Sequence, residues 1–149
     1  MYRIRKKFKF EYAHQLYSSF SEPCSETIHG HSAILELYFV SEKLDDDGMV
    51  VDFGQISSVI KGYVNSWDHA LVMHKLADST YLHELSLNNS KMIILDVNPT
   101  AEAMAEIMFN EMDKRFNKEL PDRQFALEKV RLHETRSGYA EYEPILPCC

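Results

Sequence analysis

The first dozen residues constrain the fold more than any other stretch of the chain. From Tyr2 to Tyr12 the sequence alternates. Tyr2, Ile4, Phe8, Phe10 and Tyr12 fall on one face, and Arg3, Arg5, Lys7, Lys9 and Glu11 on the other, with Lys6 the one exception. Successive strand residues point to opposite sides, so this period of two describes a strand buried on one face and wet on the other. A polar loop, Ser18 to Thr27, contains Pro23 and leads to a second strand from about His29 to Val40. Its end is marked by Asp45-Asp46-Asp47-Gly48, an acidic turn that returns Met49-Val50-Val51 as an antiparallel partner or short extension.

The period then changes. Phe53, Ile56, Ile60, Tyr63, Val64 and Trp67 recur at steps of three and four, which predicts a helix from about Gly54 to Trp67. A long irregular connection follows, with Met92-Ile93-Ile94-Leu95 as a short strand within it. Asn98-Pro99-Thr100 opens a second helix, with Pro early and Thr or Asn as its cap. Its apolar face is Ala101, Met104, Ala105, Met108, Met112 and Phe116. After Pro121, a strand from about Ala126 to Glu134 puts Val130, Leu132 and Glu134 on one face. Thr135 to Gly138 turns the chain into a last strand, Tyr139 to Tyr142. The order β-β-α-α-β-β, with a hairpin at each end, means antiparallel pairs backed by two helices: an α+β domain. With no internal repeat and no linker, residues 1–149 read as one domain.

Composition narrows the function classes. Sixteen Lys and Arg against 23 Asp and Glu give a net charge of −7, which disfavours non-specific binding of nucleic acid, a process that depends on neutralising phosphates. No apolar run approaches the ~20 residues of a membrane span, and the basic N-terminus leads into no apolar signal core. Three cysteines, two of them the adjacent pair Cys148 and Cys149, fit a reducing compartment better than a disulfide framework. The expectation is a cytoplasmic protein.

The strongest chemical constellation is His14 with His29-Gly30-His31. Residues i and i+2 of a strand share a face at a spacing of roughly 6.6–7 Å, so both imidazoles can reach one metal. His14 lies just past the first strand, where hairpin-like pairing brings it alongside. Three neutral imidazoles without a fourth protein ligand describe a catalytic zinc site with one open position. A bare His-x-His equally describes two half-buried histidines on an edge strand; the third histidine shifts the reading towards metal. Cys24, five residues before His29, reads as a nucleophile or base, a fourth ligand, or a plain loop cysteine. Glu26 is a second acid/base candidate or a solvated loop carboxylate. Asp68-His69 is either a general acid/base pair or a helix-terminal histidine beside an acid. Glu134 ends a strand on its apolar face, so it pairs with a buried cation or receives two N–H donors from a ligand. His74, His83 and His133 read as surface or structural residues.

Taken in order, Phe10-Glu-Tyr-Ala-His14, Cys24 before His29-Gly-His31, Val51-Asp-Phe-Gly54, Trp67-Asp-His69, Asn98-Pro-Thr-Ala-Glu102 and His133-Glu-Thr135 up to Tyr139-Ala-Glu-Tyr142 resemble the 6-pyruvoyl-tetrahydropterin synthase and 6-carboxytetrahydropterin synthase family over nearly the whole chain. The resemblance implies a tunnelling fold. In it a four-stranded antiparallel sheet with two helices on one face assembles into barrels, usually a hexamer of two trimers. It implies zinc (Zn2+) on His14, His29 and His31, and Cys24 as the catalytic thiol. Asp68 and His69 would be an acid/base pair supplied across a subunit interface, and Glu134, helped by Thr100, the pterin anchor. The implied substrate is the small-molecule pterin 7,8-dihydroneopterin triphosphate.

The sequence departs from the family pattern between Cys24 and His29. Four residues separate them, where the queuosine-pathway branch usually has three and the pyruvoyl branch five. Glu26 stands three before His29, where a third branch uses Glu to cut the side chain to hydroxymethyl-dihydropterin for folate. The favoured product is 6-carboxytetrahydropterin, formed with loss of acetaldehyde; the pyruvoyl and hydroxymethyl products are the alternatives. Outside the family, His29-x-His31-x4-Glu36 fits the first metal motif of a cupin, against which stand the helical stretches and the lack of a second Gly/Pro-rich His motif. Glu36 is expected as an outward strand residue. A non-catalytic zinc-binding assembly protein is the remaining reading.

Overall fold

The structure, a computed structural model, describes residues 1–145, so Cys148 and Cys149 lie outside the described residues. Ten elements follow one another: β1 (Tyr2–His14), α1 (Glu22–Glu26), β2 (His29–Ser41), α2 (Phe53–Trp67), β3 (Ala70–His74), α3 (Ser79–Asn88), β4 (Met92–Leu95), α4 (Ala101–Glu119), β5 (Ala126–His133) and β6 (Tyr139–Tyr142). The strands form one sheet in the order β4-β3-β1-β2-β5-β6. The long β1–β2 and the short β5–β6 ladders are the antiparallel hairpins expected from the alternation.

Three expectations need correction. The sheet has six strands rather than four, and it is mixed, because β3 runs parallel to β1 and β4 parallel to β3. All five residues of β3 are buried, so they show no alternation, and an even apolar run of that length does not declare itself a strand. Two short helices, α1 and α3, join the two long ones. Met49-Val50-Val51 makes no strand. Asp45 instead closes the loop on itself, its N–H donating to Met49 O and its carboxylate accepting from Asp47 and Met49 N–H, while Gly48 takes a φ of +77°. Val50 and Val51 turn inward as core residues just before Asp52, whose carboxylate caps α2 through Gly54 and Gln55 N–H.

The core lies between one sheet face and the two long helices. β1 contributes Phe10 and Tyr12, β2 contributes Ala33, Leu35, Leu37 and Phe39, and β5 contributes Leu127, Val130 and Leu132. Ile56, Val59, Ile60, Val64 and Trp67 of α2 cover that face, as do Met104, Ala105, Met108, Met112 and Phe116 of α4. Each such large side chain contributes roughly 1.5–3 kcal/mol when fully buried. The helix faces follow the sequence reading except that Phe53 is 48% exposed and that Val59 and Phe109, outside the faces read from the sequence, are buried. Thr100 is the N-cap of α4 as expected, its hydroxyl oxygen accepting from Ala103 N–H at 3.3 Å.

Candidate metal centre

The same alternation that builds the core also builds the site. His14 pairs with His29, and Tyr12 with His31, across the β1–β2 ladder. His14 thus shares a face with Phe10 and Tyr12, and His29 and His31 share that face with Ala33 and Leu35. The apolar layer ends where the imidazoles begin.

Each imidazole is locked by a backbone carbonyl. His14 Nδ1 lies 2.8 Å from Pro99 O, His29 Nδ1 2.9 Å from Thr27 O, and His31 Nδ1 3.1 Å from Glu134 O. A carbonyl only accepts, so each Nδ1 carries the hydrogen and each Nε2 of a neutral ring is left as a lone pair. Those three lone pairs converge: His14 Nε2 is 3.0 Å from His29 Nε2 and 3.1 Å from His31 Nε2. Facing acceptors with no hydrogen between them repel unless a cation sits among them. Two nitrogens bound 2.0–2.1 Å from one zinc lie no more than about 4 Å apart, so the donor set fits that ion. Among the described residues the cluster contains His14, His29 and His31 alone, the three-ligand set of an open, catalytic type of site. Burial lowers the His14 pKa against the opposing pull of Pro99 O and Glu134, which favours the neutral ring that a metal requires.

Glu134 stands beside the triad, immediately after β5. Its Oε1 is 3.6 Å from His14 Nε2 and accepts from the Tyr12 hydroxyl at 2.5 Å. It also lines a cleft of about 210 Å³ with Ala101, Glu102, Thr135, Gly138, Tyr139 and Ala140. Tyr12, which the alternation marks only as a core-facing strand residue, therefore also belongs to the site. The signal was available: Tyr12 is two residues from His14, the same spacing that singled out His29 and His31.

Asp68 and His69 form a pair, with His69 Nδ1 3.0 Å from Asp68 Oδ2. The turn holding them is tightly pinned. Asp68 Oδ1 accepts from Glu11 N–H, His69 N–H donates to Glu11 O, and Lys91 Nζ donates to the carbonyls of Asn65 and Asp68. The Glu11 amide and the His69 ring hold the Asp68 carboxyl below its ordinary pKa. His69 adopts a φ of +60°, a left-handed conformation that costs a non-glycine residue energy. Its ring is 76% exposed, and among the described residues no hydrogen bond joins it to the triad. It borders a groove of about 490 Å³ between β1, β2 and β3, whose lining also includes His31 and Tyr12.

Cys24 sits half-buried in α1, with its carbonyl accepting from Leu16 N–H, and Glu26 is exposed at the end of the same helix. Neither side chain belongs to the ligand cluster. The cupin reading fails on parity, because Glu36 is an odd number of strand residues from His29 and His31 and points to the opposite face. Glu36 is outward as expected but not exposed. It is 2% accessible, enclosed by Arg5, Lys7, Arg131 and His133 and bonded by the Tyr38 hydroxyl. His74 is structural, buried against the Tyr17 ring with its Nδ1 accepting from Leu76 N–H.

The comparisons with known proteins agree with this geometry. The family described as 6-pyruvoyl tetrahydropterin synthase matches residues 3–144. The 6-carboxy-5,6,7,8-tetrahydropterin synthase of Rickettsia bellii is 30% identical over 142 residues, covering 95% of this chain and 99% of that protein. Among solved structures, a Wolinella succinogenes protein superposes with a TM-score of 0.74 at 19% identity, covering 95% and 97% of the two chains. A catalytic-residue mutant of 6-pyruvoyltetrahydropterin synthase from Plasmodium vivax superposes with a TM-score of 0.70 at 15% identity, covering 97% and 99%. At those identities the structures speak for the fold alone, which is the tunnelling fold. No helix among the described residues is long and apolar enough to cross a membrane. The match across nearly the whole chain, joined to the convergent histidines, makes this protein a member of the 6-pyruvoyl tetrahydropterin synthase family and an enzyme of the tetrahydropterin synthase type.

Proposed function

We propose that this enzyme converts 7,8-dihydroneopterin triphosphate to 6-carboxy-5,6,7,8-tetrahydropterin, releasing acetaldehyde and triphosphate, with zinc held by His14, His29 and His31. The observation that carries the reading is the set of three carbonyl-locked imidazoles whose Nε2 atoms converge beside the Glu134 carboxylate. Bound there, zinc supplies Lewis acidity that makes side-chain hydroxyl and neighbouring C–H protons easier to remove. Glu134 receives the pterin amino group and the adjacent ring N–H, a pair of donors that one carboxylate can accept together. The Thr100 hydroxyl, whose oxygen caps α4, keeps its hydrogen free to donate to the same ligand. Cys24 moves a proton as the thiol nearest the ligand set in sequence, with Glu26 as a second base in the same loop. Asp68 orients the His69 ring for the other proton step.

Because His69 makes no hydrogen bond to its own chain's triad, a second copy completes the site in this reading, and the assembly is a hexamer of two trimers. The carboxy product is favoured by relatives such as those of Rickettsia bellii and Haemophilus influenzae, each named 6-carboxy-5,6,7,8-tetrahydropterin synthase. The queuosine pathway and a cytoplasmic location belong to the same proposal and rest on the family resemblance. The test is to incubate the zinc-loaded protein with 7,8-dihydroneopterin triphosphate, identify the pterin by mass and assay acetaldehyde separately. Carboxytetrahydropterin with matching acetaldehyde is expected. A pyruvoyl or hydroxymethyl pterin would overturn the product assignment, and zinc without turnover would overturn the enzyme reading.

A further inference from the structure

Tyr12 touches both halves of the site, and no step above uses it. Its ring lies edge-on to His14, with centroids 5.3 Å apart, and 5.5 Å from the His31 ring. Its hydroxyl donates to Glu134 Oε1. Tyr12 is on β1 and Glu134 follows β5, so the bond reaches across β2 and joins residues 122 positions apart. The residue is 3% accessible. A phenylalanine would fill the same volume in this apolar layer with no polar group to satisfy, whereas a buried phenol needs a partner. The hydroxyl is therefore explained by Glu134.

The carboxylate gains a fixed direction from that bond. Glu134 lies just past the strand, its side chain is 21% accessible, and the Tyr12 hydroxyl is the hydrogen-bond donor that its carboxylate meets among the described residues. The Tyr12 hydrogen occupies one lone pair of Oε1, which leaves Oε2 and the other Oε1 lone pair for a ligand. A flat heterocycle that offers two adjacent N–H donors needs the carboxylate plane aligned with its own ring plane at the moment it docks. We propose that Tyr12 is a positioning residue that holds the Glu134 carboxylate ready for the paired N–H donors of such a ring. The proposal rests on the reading of Glu134 as the pterin anchor.

The experiment compares wild type, Tyr12→Phe, Glu134→Gln and the double variant, each loaded with zinc. Neopterin binding is followed by its fluorescence, KM and kcat are measured with 7,8-dihydroneopterin triphosphate, and zinc content is measured throughout. Tyr12→Phe should weaken neopterin binding and raise KM by about tenfold, the size expected for losing a hydrogen bond to a charged group. It should leave kcat and zinc content unchanged. In the Glu134→Gln background the same substitution should add nothing, because the group it positions is already gone. Three results would overturn the proposal alone while Glu134→Gln still weakens binding: wild-type affinity in Tyr12→Phe, an equal loss in both backgrounds, or loss of zinc from Tyr12→Phe. Unchanged neopterin binding in Glu134→Gln would bring down the anchor reading, and the positioning role with it.

Discussion

Two buried ionisable groups, His14 and Glu36, lie on opposite faces of the same hairpin, each 2% accessible, and the sheet treats them in opposite ways. Glu36 is supplied with every partner a carboxylate can use. Lys7 Nζ is 2.9 Å away, Arg5 3.1 Å, and Tyr38 donates at 2.8 Å. Burial alone would raise its pKa, but the bonds from Lys7, Tyr38 and His133 and the charge of Arg5 outweigh that and bring it down to about 2. His14 receives a partner only at Nδ1. Its Nε2 faces two further lone pairs and, 3.6 Å away, the Glu134 carboxylate. The first cluster is complete within the chain; the second is complete only when a cation arrives. A buried charge with all its partners is architecture, whereas a set of convergent, unfilled acceptors built around one buried imidazole and two half-buried ones marks a site.

The largest expected effect comes from breaking the incomplete cluster. His29→Ala/His31→Ala should take zinc from about one per chain to none and abolish turnover, because one imidazole does not hold the ion. The fold should survive, as the rest of β2 still pairs. Metal analysis of the purified variant decides it, and undiminished zinc would sink the assignment.

Breaking the complete cluster should do the reverse. Glu36→Gln removes the charge that these cations share and should destabilise the fold by roughly 1–3 kcal/mol, the range for losing hydrogen bonds to a charged group, with the half-exposed Arg5 and Lys7 resolvated by water. Zinc content should stay at the wild-type level. Urea unfolding together with metal analysis separates the two effects.

Acid should take the two clusters apart in sequence. His14 has a folded pKa below its ordinary 6.5, so the zinc-free protein holds that contribution fully above 6.5 and loses it as pH falls towards the lower folded value. Glu36 contributes fully above 4.5 and loses its contribution as pH falls from there towards about 2. Unfolding midpoints above 6.5, between 6.5 and 4.5, and below 4.5 should therefore show two declines. Glu36→Gln should shrink the lower one only.

The smallest effect sharpens the contrast. Arg5 is one of several cations on Glu36 and its side chain is 46% exposed, so Arg5→Met should cost no more than about 1 kcal/mol. A loss as large as that of Glu36→Gln would mean that the cluster depends on one pair rather than on shared partners.

The sequence by itself determined whatever depends on local periodicity. Strand residues alternate because of covalent geometry, so the partition of β1 into Tyr12 and His14 on one side and Lys7 on the other is written in the spacing, as is the shared face of His29 and His31. Helical spacing likewise marks the buried face of α4, and Thr100 its start. Tertiary structure decided what stands opposite what. Ala70 to His74 carries no alternation because the fold buries all of it, so its parallel place beside β1 follows only from packing. The hydrophobic run of Met49 to Val51 is core filling rather than strand because the Asp45 loop closes on itself first. The carbonyls of Pro99, Thr27 and Glu134 that set the imidazole tautomers belong to three separate segments. The Tyr12–Glu134 bond and the enclosure of Glu36 likewise join residues far apart in the chain. Side-chain facing repeats every few residues and can be read locally, whereas partnership across the sheet is fixed only when all the strands have found their order.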